Sequence, residues 1–203
     1  MTGTDMATEN QKENVPFTHY VQLFREQNLT ADPHRLPETR FDGRNFHVQL
    51  MHRCYMVSYP EYAIWPEPSR TAQTFILRYL LESKNIPWLG KWKTFREMPW
   101  GETYVKAFTG RALGRAAFTF GTRLDAFRAA CEKMGGLPVS HGDAGFEFDL
   151  IGNYKMRIFV WAGDEEFPPS AQILYSDNFA EGFTAEDRAV AADLLIGAIK
   201  TNM

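Results

Sequence analysis

The stretch 145–161 limits the possible folds more than any other part of the chain. Phe146, Phe148 and Leu150 alternate with Glu147, Asp149 and Ile151; Gly152-Asn153 follows, and Lys155 to Trp161 returns. Alternation on both sides of a two-residue turn specifies a β-hairpin, because Gly and Asn tolerate the left-handed angles such turns demand. Hairpins join antiparallel strands, whereas parallel neighbours need a long crossover. A doubly wound parallel sheet and an all-helical fold are therefore disfavoured.

More sheet is expected over 46–59. There Phe46, Val48 and Leu50 alternate with His47, Gln49 and Met51, and Tyr55, Val57 and Tyr59 continue the pattern behind an Asp42-Gly43 turn. Pro66 and Pro68 end it, and Gln172 to Tyr175 reads as one more strand. The helical period is clearest over 70–84. Ala72, Phe75, Ile76, Tyr79 and Leu80 form one stripe, and Ser69 is placed to cap it. Further helices are expected from Phe17 to Asn28 and around Leu124, Phe127, Cys131 and Met134, the latter closed by Gly135-Gly136. Thr184 with Asp187 forms a capping box that opens a last helix running to about Lys200, with Val190, Leu194, Leu195 and Ile199 as apolar residues. Pro33 and Pro37 mark a connector. The mixed order of helices and hairpins predicts an α+β fold: one domain over 15–203, mostly antiparallel sheet with helices packed against it. Residues 1–14 are polar and unpatterned, and are expected to be disordered.

Charge and composition exclude several function classes. The 22 basic and 25 acidic residues leave a net charge of −3, which opposes non-specific nucleic-acid binding. No apolar run is long enough to span a membrane. The N-terminal residues lack the basic and apolar regions of a secretory signal, so a cytoplasmic location is expected. Cys54 and Cys131 are too few for an iron–sulfur cluster or a four-cysteine zinc site, and Cys131 lies on the apolar side of its helix as an inert thiol. His47 and His52 would point to opposite faces of one strand, which opposes a shared metal site. Gly110, Gly114 and Gly121 form no nucleotide-binding fingerprint, and no nucleophile elbow is present.

Two segments concentrate turns, aromatics and charges. Trp88 to Glu102 holds three of the five tryptophans, together with Arg96 and Glu97. Arg96 offers a planar fork for a carboxylate or phosphate, and the tryptophans offer a stacking wall. Trp161 to Asp177 holds the adjacent acids Asp164, Glu165 and Glu166, whose mutual repulsion calls for solvation, protonation or a cation. Arg96 is a suitable neutraliser, and a composite site is expected with Arg96 beside Asp164 or Glu165. His141-Gly142-Asp143 is a third candidate, which reads equally as a turn closed by an Asp side chain. The acid cluster lacks the spacing of a calcium loop, and no metal ligand set is assigned.

The chain resembles the domain-of-unknown-function family DUF3786, found mainly in anaerobic bacteria and archaea. The likeness rests on Phe75 to Leu81, Gly90 to Trp92, Thr94 to Glu97, Tyr104 with Ala107-Phe108, Gly142 to Ala144, Gly163 to Leu174, and Glu186-Asp187. It covers most of the chain after about residue 16. It implies an anaerobic, cytoplasmic setting and supports the importance of these segments, but supplies no mechanism. Some relatives carry an added cysteine-rich segment that this chain lacks.

Three functions follow from the residues. The first is a non-catalytic accessory domain binding a small molecule or cofactor through Trp92, Arg96, Glu97, Tyr104, Asp143, Trp161, Asp164 and Glu165. The second is a protein-interaction module docking through exposed tryptophans. The third is a hydrolase or lyase using one of the clustered acids as general base, with or without a metal. Neither the ligand nor a cofactor is specified by the residues.

Overall fold

The computed structural model describes residues 11–32, 35, 36 and 38–203. The connector prolines Pro33 and Pro37, and residues 1–10 of the polar leading segment, lie outside the described residues.

Among the described residues nine strands form one sheet, whose path runs from Ile64–Trp65 (β4) through Arg53–Ser58 (β3), Asn45–Leu50 (β2), Ala144–Ile151 (β7), Tyr154–Trp161 (β8) and Ser170–Ser176 (β9) to Trp92–Thr94 (β5), with Arg40–Phe41 (β1) beside β2 and Leu137–Pro138 (β6) beside β7. Every pairing is antiparallel. The sheet's centre is the expected hairpin, β7 (Ala144–Ile151) and β8 (Tyr154–Trp161), turned at Gly152 with φ +54°. Only glycine fits there: a Cβ would lie 2.4 Å from the Tyr79 hydroxyl. β9 (Ser170–Ser176) extends the hairpin, and β5 (Trp92–Thr94) closes that edge. On the other side, β2 (Asn45–Leu50) meets β7 through one residue pair, Leu50 with Ile151. The 46–59 region is a hairpin of β2 and β3 (Arg53–Ser58), turned at Met51-His52 with Met51 at φ +52°. One strand does not run through both His47 and His52: His47 sits in β2 and His52 in the turn. The short β1 (Arg40–Phe41), β4 (Ile64–Trp65) and β6 (Leu137–Pro138) flank these strands.

Helices cover one face of the sheet. α1 (Gln11–Glu26) packs on α2 (Arg70–Glu82), which Ser69 caps by accepting from the Ala72 amide. α5 (Leu124–Lys133) ends at Gly135, φ +76°. α6 (Phe179–Gly182) is one turn. α7 (Ala185–Asn202) opens on the expected reciprocal capping box of Thr184 and Asp187. The core lies between the inward faces of β7, β8 and β9 and these helices, with Phe75, Phe127, Met156, Ile158, Tyr175 and Leu195 fully buried.

One helical stretch was not expected. α3 (Gly101–Phe108), a π-helical segment (Thr109–Gly114) and α4 (Arg115–Phe120) run without a break. Phe108, Ala112, Ala116 and Phe120 are buried at four-residue spacing, with Ala117 buried beside them. That period exceeds the α-helical 3.6, and the wider π-turn absorbs the surplus.

Candidate functional site

Phe95 leaves β5 and stacks on Phe108, with ring centroids 4.1 Å apart and nearly parallel planes. The chain then turns sharply. Trp100 adopts φ +63°, and Gly101 sits so close to the preceding loop that a Cβ would fall 2.0 Å from the Phe95 carbonyl oxygen. This turn leaves Trp100 73% exposed, with Tyr104 one helical turn further on and also exposed. Facing them is the N-terminal half of α7. Between the two walls lies an open cleft of about 610 Å³, with Phe95 and Phe108 in its lining and Arg78 and Arg111 as its cationic groups. Its size falls in the range of small-molecule sites, and Trp100 and Tyr104 stand exposed in its lining.

The charges around the cleft are organised. Arg78 pairs with the Asp187 carboxylate at 2.6 Å while its Nε stays buried without a partner. Burial raises the Asp187 pKa above the ordinary value, and Arg78 opposes that rise. Asp193 is held by two guanidinium groups, Arg111 on Oδ2 and Arg115 on Oδ1. Beneath the aromatic wall, Arg188 is 1% exposed and pairs with no carboxylate among the described residues. It donates to the backbone carbonyls of Phe183 and Pro99, and its guanidinium lies 5.6 Å from the Phe95 ring centroid.

The residues singled out from the sequence are dispersed. Trp92 pairs across from Ser176 and Trp161 across from Ser170, at opposite ends of β9. Six residues of strand separate those positions by about 20 Å. Trp92 lies under the Arg157 guanidinium, 4.1 Å from its ring centroid, and Arg157 in turn forks onto Glu147. Trp161 packs edge-on against His141. Glu97 accepts from the Thr94 amide and hydroxyl, both at 2.7 Å, and these bonds hold its pKa low. Asp143 accepts from the Ala162 amide, 19 residues on, and not from an amide of its own turn.

The expected pairing of Arg96 with the acid cluster is overturned. Arg96 forks onto Glu102, six residues on, at 2.5 and 2.6 Å, and both groups are exposed. Asp164 instead accepts from the amides of Phe167 and Glu166, which lower its pKa. Neither Asp164, Glu165 nor Glu166 enters an ion pair among the described residues. All three acids are exposed, so of the alternatives of solvation, protonation or a cation the structure favours the first, with backbone amides holding Asp164. Of the residues named beforehand, Tyr104 lines the cleft. Arg78 and Asp193 were missed because they read as ordinary solvent-facing helix positions, and Arg111 because no helix was expected over 101–120. Among the described residues, no group of three or more His, Cys, Asp or Glu is placed to hold a metal ion, and no helix is long and apolar enough to cross a membrane.

The fold and the cleft together define an α+β domain with one helix-lined aromatic and arginine groove. The chain belongs to the family described as Domain of unknown function (DUF3786), whose model matches residues 35–198. No curated protein and no solved structure matches the chain.

Proposed function

We propose that the protein is a small-molecule-binding domain whose ligand is a planar aromatic anion held in the cleft between α3 and α7. The observation that carries this reading is the pairing of exposed Trp100 and Tyr104 with Arg111 at the mouth of a cavity of about 610 Å³. Aromatic faces bind a flat ring by stacking, and a guanidinium fork binds a carboxylate, sulfonate or phosphate in its plane. Arg111 is 67% exposed on its side chain and shares its one carboxylate with Arg115, so it retains donors for a ligand. Arg188 adds a buried positive charge behind the Phe95 ring.

The acid-cluster hydrolase reading gains no support. Backbone donors lower the pKa of Asp164, whereas a general base near neutrality needs a raised one. A protein-docking reading is favoured by a different observation. Met56 and Trp65 are cross-strand neighbours, and both are exposed on the edge hairpin. That pair is small beside the cleft, so it stands second.

The test is a fluorescence titration with anilinonaphthalene sulfonate, an anion whose naphthalene ring is flat. The native protein should bind one equivalent saturably, and Trp100→Ala or Arg111→Ala should weaken binding by roughly tenfold or more. Binding that is non-saturable, or unchanged in both variants, would contradict the reading.

A further inference from the structure

A second cavity of about 510 Å³ lies further along α7, and Arg111 and Asp193 form part of its wall as well as of the first. We propose that this second cavity binds the phosphoryl group of a small phosphorylated molecule. Its walls carry Arg53, Arg111 and Arg115 against the single carboxylate of Asp193, a local excess of positive charge on a chain whose net charge is −3. The three arginines come from two separate elements. Arg53 begins β3 just after the Met51-His52 turn, while Arg111 and Arg115 belong to the helical stretch 101–120. Residues four apart lie on one face of a helix, which brings Arg111 and Arg115 to the same cavity wall.

The donor count favours a tetrahedral anion. Asp193 occupies one terminal nitrogen each of Arg111 and Arg115, and Arg53 makes no ion pair among the described residues. Each guanidinium has five N–H donors, so most remain for a ligand. A phosphoryl group presents several oxygens in different directions, which suits forks converging from two elements better than one flat carboxylate does. The Thr71 hydroxyl adds a neutral donor at the same wall. His52, also in the lining, titrates below its usual value through partial desolvation and through the Arg53 and Lys133 charges, as a positive field requires.

This inference stands apart from the aromatic-anion reading, since Arg53 and Arg115 do not line the first cleft. It is tested by isothermal titration of sodium pyrophosphate into the full chain at low salt. One saturable site is expected, weakened roughly tenfold or more by Arg53→Ala with Arg115→Ala, while anilinonaphthalene sulfonate binding stays as in the native protein. Arg53→Ala alone should weaken pyrophosphate in the same direction, and decides the matter if the double variant does not fold. Malonate, a dicarboxylate, should bind more weakly. No saturable heat up to about 10 mM pyrophosphate, unchanged binding in the variants, or equal affinity for malonate would overturn the proposal.

Discussion

Arg188, buried on α7, donates to the carbonyl of Pro99, so the turn that presents Trp100 is fastened to the helix forming the opposite wall of the cleft. The same guanidinium donates to the Phe183 carbonyl at the start of α7. One side chain thus sets the spacing of the two walls, using backbone acceptors instead of a carboxylate.

Arg188→Met keeps an unbranched apolar stem but removes both bonds. Each buried carbonyl left unpaired costs about 1–3 kcal/mol. The variant should show a clearly lowered urea midpoint and weakened dye binding in the cleft. An unchanged midpoint would mean that neither carbonyl depends on Arg188.

Arg96→Ala should leave the urea midpoint unchanged within error. The Arg96–Glu102 fork is well formed, but both side chains are about two-thirds exposed, where water and salt screen the pair. A marked loss of stability would show that Arg96 has a buried partner.

The two thiols should differ sharply. Cys54 is exposed, whereas Cys131 is fully buried and burial raises its pKa far above the usual value. An aromatic disulfide reagent should titrate one thiol per native chain and both after denaturation. Two fast-reacting thiols in the native state would contradict this packing of α5.

His52 should contribute to acid sensitivity. His52 stands exposed in its turn, but partial desolvation and then the Arg53 and Lys133 charges lower its pKa in the fold. Stability from its neutral form is fully present above the ordinary histidine value of about 6.5 and is lost as pH falls through the folded pKa. His52→Gln should therefore lose less stability than the native chain between about pH 7 and 5. Identical profiles would place His52 fully in water.

Much of the architecture was legible because local patterns agreed with tertiary contacts. The Gly152-Asn153 turn, the stripe ending at Leu80, and the Thr184–Asp187 box each specify an element using neighbours alone. The stretch 101–120 was illegible for the opposite reason. Its four-residue repeat fits no regular period, and Gly110 and Gly114 interrupt the propensity for helix. The site suffered more. Arg96 and Asp164 lie 68 positions apart in sequence, and each found a partner within six residues, Glu102 and the Phe167 amide. Trp100 stood in the segment singled out, but its left-handed backbone, which turns the ring into solvent, follows from Gly101 packing on the Phe95 carbonyl.

The most direct test of the account is an amide correlation spectrum of the native chain recorded with increasing anilinonaphthalene sulfonate. The cleft reading predicts shifts centred on residues 100–112 and 184–193, the two walls that Arg188 joins, and on Phe95 and Arg78 in the lining. Shifts centred on Trp88 and Trp92, or on 161–167, with those walls unmoved, would contradict it.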